Sequence, residues 1–216
     1  MNLSDQLGRL DGLLALRQWG PGVFDPPATS QQLAVLRDAV APMELPHDVV
    51  TLYMWHNGCK LPFLDGYGLR PIEGVIADRP FEIGELEAPP ALLYLSEQPG
   101  GTGTRVGVTL DVPGERSLRG VWAVDTHDAH ASRQNDDLAS AIASLADLIE
   151  DLDVELDPVR LWHEPGPWPL PFQTGEYRLR YSPDAFTWPN PPVGTYISRF
   201  PGSSWPRQWT RSLEYR

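Results

Sequence analysis

Leu45-Pro46-His47-Asp48-Val49-Val50-Thr51-Leu52-Tyr53-Met54-Trp55-His56-Asn57-Gly58 is the stretch around which the rest of the chain is organised. It predicts one short helix with both ends specified. Pro46 suits the first turn, where its missing N–H has no partner to lose. Val49, Leu52, Tyr53 and His56 recur at i, i+3, i+4 and i+7, so one stripe faces inward. Asn57-Gly58 is a stop signal, because glycine takes a left-handed C′ conformation without steric penalty. A helix this short is stabilised by packing rather than propensity. The segments on either side should therefore clamp it.

On the N-terminal side, Leu3, Leu7, Leu10 and Leu14 mark a packed helix within residues 1–19, broken by Gly20-Pro21-Gly22. Phe24-Asp25-Pro26-Pro27-Ala28 is an extended lead-in. Thr29 followed by Gln32 forms a capping-box pattern, and Leu33, Leu36 and Val40 form the buried face of a second helix that ends before Pro42. This helix and the one beginning near Pro46 are expected to cross steeply as a compact cap. On the C-terminal side, Leu61–Leu69 is turn-rich with one strand near Tyr67–Arg70. Residues 71–90, carrying Glu73, Asp78, Glu82, Glu85 and Glu87, read as a surface loop. Ala91–Ser96, Arg105–Leu110 and Gly120–Asp125 read as three strands with short turns, hence an antiparallel meander. Residues 131–136 read as a polar connection. Asp136 or Asp137 then caps a helix on which Leu138, Ile142, Leu145, Ile149 and Leu152 repeat at helical spacing.

The acidic run Glu150, Asp151, Asp153, Glu155, Asp157 sits where carboxylates oppose the helix macrodipole. It suits solvent or a basic docking partner. Residues 158–216 differ in kind: they hold five of the eight tryptophans, with prolines crowded among them. Tyr177–Tyr181 and Thr195–Phe200 alternate with period two and read as strands. The aromatic content argues against disorder. The expected organisation is an α+β domain over 1–157, with its core in 24–152, and a Trp/Pro-rich extension, 158–216, packed on it.

Net charge is −12, divided as −15 over residues 1–159 and +3 over 160–216. An acidic body repels phosphates and argues against nucleic acid. It suits a cationic protein partner, whose encounter it would steer. A single cysteine, Cys59, precludes an internal disulfide and fits a reducing, cytoplasmic setting. No apolar run approaches the roughly 18 residues of a membrane span, and none leads the chain as a signal peptide.

Chemistry-bearing patterns are sparse. Gly100–Arg105 is glycine-rich but lacks the lysine and following helix of a phosphate loop, so a hairpin turn explains it. His127 and His130 share a loop without metal-ligand spacing. No nucleophile elbow, zinc-protease helix or paired-cysteine spacing occurs. The expectation is a protein without catalytic residues, metal or cofactor.

Pro26-Pro27-Ala28, a capped helix, Leu45-Pro46-x-Asp48 and an aromatic-rich helix ending Asn57-Gly58 together resemble the N-terminal signature of the SUKH superfamily. Ser144-Leu145-Ala146-Asp147-Leu148-Ile149 resembles its closing segment. The resemblance spans about 24–152. It implies an antiparallel, curved sheet flanked by helices, with Pro27, Leu45, Pro46, Asn57 and Gly58 structural. In bacteria it implies an immunity protein that neutralises a polymorphic toxin; the alternative is a regulatory or scaffold module like the fungal cell-wall synthesis regulators. An enzyme with an unrecognised site ranks third. On charge alone, Glu82, Glu85, Glu87, Asp125, Asp128, Asp136 and Asp137 are the candidate partner-binding residues. The basic, aromatic extension departs from the family pattern and is expected to dock a partner or to cover a sheet edge.

Overall fold

The computed structural model describes residues 1–16, 24–64, 67–77, 92–97, 104–110, 120–125, 130–151, 175–183 and 196–197. The elements are α1 (Leu3–Leu16), α2 (Ser30–Val40), α3 (His47–Trp55), β1 (Cys59–Leu64), β2 (Tyr67–Leu69), α4 (Ile72–Ala77), β3 (Leu92–Glu97), β4 (Thr104–Thr109), β5 (Val121–Asp125), β6 (His130–Asn135), α5 (Leu138–Asp151), α6 (Gly175–Tyr181) and β7 (Tyr196–Ile197). The architecture is α+β. Strands β3-β4-β5-β6 form an antiparallel meander, β7 extends it antiparallel to β6, and β1-β2 form a separate hairpin. None of the described helices is long and apolar enough to cross a membrane.

Side chains alternate across a strand, so the meander has two distinct faces. Leu93, Leu95, Val106, Val108 and Val121 point to one of them. They share a single core with Leu3, Leu7, Leu10 and Leu14 of α1, Leu33 and Leu36 of α2, Val49, Leu52 and Tyr53 of α3, Ile72 and Val75 of α4, and Leu138, Ile142, Leu145 and Ile149 of α5. Tyr177 of α6 packs against the same cluster. On the other face, cross-strand register lines up Tyr94, Gly107 and Trp122 on β3, β4 and β5. Leu92, Tyr94 and Trp122 are buried to 0%, 2% and 4% exposure yet belong to no part of the helix-side core.

Several elements depart from the sequence reading. His130–Asn135 is a strand, not a polar connection. Its residues carry no apolar alternation because it pairs near the sheet edge, where backbone hydrogen bonds suffice. Tyr177–Tyr181 lies in helix α6, not in a strand. Arg178 is buried on it and Tyr177 packs half-buried against the core, so the period-two spacing misleads. Residues 72–77 form α4 within the stretch read as loop, and β1 precedes the expected β2 strand. Pro62 falls where the β1–β2 register shifts, between Cys59 and Leu64. α2 packs on α4, and α3 on α1 and α5.

Candidate functional site

Backbone hydrogen bonds tie the segment before α2 to the end of α3. The Asp25 N–H donates to the Gly58 carbonyl (3.0 Å), Ala28 N–H to Tyr53 O (2.8 Å), and Asn57 N–H to Pro26 O (3.0 Å). The Pro26-Pro27 lead-in is thereby strapped along the end of α3. Both prolines suit this role, since they extend the chain and fix φ. Pro46 takes the N-cap position of α3, one residue earlier than expected, and supplies no side-chain cap. Leu45, half-buried, packs against the core.

The C-terminal stop of α3 also works differently from a left-handed glycine cap. His56 is extended (φ −149°, ψ 139°). Gly58 has φ +133°, and a Cβ there would lie 2.6 Å from Asp25 Oδ2. Glycine is required by close approach of the lead-in, not by helix termination. Asn57, buried, accepts the Ile72 N–H at its Oδ1 (2.9 Å) and so caps α4 from 15 residues away. Phe24 stacks on His56 at 4.6 Å between centroids, and Trp55 meets both rings edge-on. The His56 Nδ1 lies 2.8 Å from Asp25 O. Tyr53, fully buried, donates its hydroxyl to Arg70 O (3.0 Å), and burial raises its pKa well above the ordinary tyrosine range.

A cleft of about 190 Å³ opens where the N-termini of α3 and α5 meet the ends of β4 and β5. Pro46, His47, Asp48, Asp136 and Asp137 lie on its helical side, with Val108, Thr109 and Gly120 on the sheet side. Its volume is below the roughly 300–1,000 Å³ of small-molecule sites, so it is sized for a partner's side chain. Asp137 is the cap of α5: its Oδ1 accepts the Ser140 N–H and hydroxyl, each at 2.7 Å. Asp136 pairs with Arg133 at 3.3 Å and remains 43% exposed. Asp48 occupies the first turn of α3, where a carboxylate complements the helix dipole.

Of the acidic residues selected on charge, Asp136 and Asp137 therefore converge on one cleft, joined by Asp48, which the charge argument had not selected. Asp125 closes β5. Glu82, Glu85, Glu87 and Asp128 lie outside the described residues, as does His127. Among the described residues, no three His, Cys, Asp or Glu side chains gather as a metal site.

A second charged cluster joins three helices. Asp147 of α5 receives Arg9 Nη1 of α1 (2.8 Å), Arg180 Nη1 of α6 (2.7 Å) and the Tyr181 hydroxyl (3.0 Å). Burial pushes the Asp147 pKa up. The hydrogen bonds from Arg180, Arg9 and Tyr181 together outweigh it, and the carboxyl is held below its ordinary value. Arg9 also pairs with Glu150, and Arg180 reaches Asp151 at 3.8 Å. Thus the start of the acidic run is neutralised from within the chain. Arg178, buried, donates to Gln134 of β6, and Ser182 Oγ accepts the Asp136 N–H (2.9 Å). No protein-family model matches the chain, and no curated protein matches it at a significant level.

Proposed function

We propose that the chain is a non-catalytic protein-binding domain, an immunity protein that binds and neutralises a basic toxin domain. The observation that carries this reading is the acidic cleft at the α3 and α5 N-termini. It places Asp48 and Asp136, both partly exposed, on the lining of one notch of a size to take a lysine or arginine side chain. The body around it is strongly acidic, which favours a cationic partner through long-range steering. The signature residues Pro46, Asn57 and Gly58 act as scaffold that sets α3, and with it one wall of the notch.

The experiment is co-expression with secreted toxin domains encoded by neighbouring genes, scored for complex formation and protection of the host. Asp48→Lys and Asp136→Lys should each weaken the complex at least tenfold, with association slowing as salt rises. Complexes indifferent to both reversals would move the binding surface elsewhere. An absence of any complex or protection would end the reading.

The regulatory-module alternative, working through the C-terminal region, has less support. Arg178 and Ser182 of that region are buried against the body, so part of it is already engaged in holding the fold.

A further inference from the structure

We propose that Arg133 is a built-in competitor for the acidic notch: its guanidinium holds Asp136 in the free protein and is displaced by a cationic side chain of the protein partner. This inference rests on the reading of the notch as a partner site and names what that partner must exchange with. Its first support is how the three notch carboxylates are occupied. Asp137 is committed to the start of α5, where it accepts from the Ser140 N–H and hydroxyl at 2.7 Å. Asp136 is held by Arg133 Nη1 at 3.3 Å. Asp48, partly exposed, makes no ion pair or side-chain hydrogen bond among the described residues. The notch thus holds one carboxylate that the chain already neutralises and one left for a partner.

The second support is the path of the arginine. Arg133 stands on β6 opposite Trp122 of β5. Its stem runs past Gly120: a Cβ there would lie 3.3 Å from Arg133 Cδ and 3.0 Å from Trp122 Nε1. Gly120 also has φ +151°, which favours glycine. The lane taken by the stem is therefore kept clear of any side chain at this position. Gly120 and Asp136 both line the notch. The arginine rests against one lining residue and pairs with another, which puts its charge at the notch rim.

The third support is that this pair is built to exchange. The Arg133 and Asp136 side chains are 29% and 43% exposed. Their separation exceeds the about 2.7–2.9 Å of a strong charge-assisted hydrogen bond. Asp147 is the contrast: 10% exposed and held by Arg9 and Arg180 at 2.8 and 2.7 Å, it ties helices together. Exposed ion pairs contribute little, so Arg133 can swing into water at small loss. A cation entering the notch meets Asp48 unpaired and takes Asp136 in exchange. A neutral or anionic side chain has nothing to offer Asp136 and leaves Arg133 in place.

The test titrates the full chain with the peptide acetyl-Arg-Arg-amide and follows backbone amides by NMR. The peptide should shift the His47, Asp48, Gly120 and Asp136 amides. Arg133→Gln should tighten its binding about threefold beyond Arg37→Gln, which removes the same charge from an exposed position on α2. In an Asp136→Asn background that extra gain should vanish. Notch shifts with no extra gain for Arg133→Gln would overturn the competitor and leave the notch standing as a partner site. No notch shifts in either chain would overturn both. In the unaltered chain the Arg133 guanidinium signals should move together with the notch amides, a readout that needs no variant to fold. Guanidinium signals that stay fixed while those amides shift would overturn the proposal.

Discussion

Asn57 and Gly58 are adjacent, but their substitutions should fail for different reasons. Asn57→Ala removes the acceptor of the buried Ile72 N–H and should cost about 1–2 kcal/mol, measured by urea unfolding. Asn57→Asp keeps the acceptor but buries a charge, so it should be destabilising at neutral pH and recover partly in acid. Gly58→Ala meets a positive φ and the Asp25 carboxylate together, and should cost about 1–3 kcal/mol. Asp25→Ala should relieve part of that cost, a coupling that a double-mutant cycle would detect. Tyr53→Phe leaves its packing intact and removes only the donor to Arg70 O, for about 1 kcal/mol. At this scale the sequence was partly legible. The Asn-Gly pair was visible as punctuation. That Asn57 caps a helix 15 residues later was not, because such a cap is a long-range contact with no local spacing.

At the scale of elements, α5 is the hub, and Asp147 is where α1 and α6 are tied to it. Asp147→Asn should cost about 2–3 kcal/mol near neutral pH, since two arginines lose their charged acceptor. The pH dependence follows from the lowered carboxyl pKa. The unfolded chain binds this proton more readily than the folded one. The stabilisation is therefore present above the unfolded carboxylate value of about 3.9 and is lost as pH falls through the folded value. Denaturant midpoints between pH 6 and 3 should fall for the parent chain and fall less steeply for Asp147→Asn. Glu73 is also held low, chiefly by the Gln32 side chain at 2.7 Å, which itself completes the capping box of α2. Gln32→Glu should keep the cap yet repel Glu73, loosening α2 from α4. The capping box was readable from Thr29 and Gln32 alone. α6 was misread because its buried residue is an arginine, matched to Gln134, beside Tyr177 on the core, so it carries no apolar stripe.

For the whole molecule, the charge division between body and extension takes on a physical meaning. Basic residues of the extension, Arg178 and Arg180, meet Gln134, Asp147 and Asp151 of the body. Removing residues 158–216 should therefore lower the melting temperature of the body, because Gln134 loses the buried Arg178 and Asp147 loses Arg180 and the Tyr181 hydroxyl. Thermal unfolding of the truncated chain is the direct check. A folded body of unchanged stability would mean that α6 contributes nothing to it. β7 covers the β6 edge over two residues, consistent with the protection that sheet edges require.

The sequence by itself determined the α+β class, the meander, the amphipathic α1, α2, α3 and α5, and the capping of α2 and α5. Each of these rests on local periodicity or on a cap within three residues. Only the tertiary structure decided that Asp48, Asp136 and Asp137 share one cleft, that Asn57 caps α4, and that Asp147 ties three helices. It also revealed that the far sheet face is buried. These depend on which elements meet, and contacts between residues far apart in the chain leave no period in it. The Leu45–Gly58 stretch shows both sides of that division. Its helix was written in its own spacing, but the reason for Gly58 lay in Asp25, brought against it by the fold.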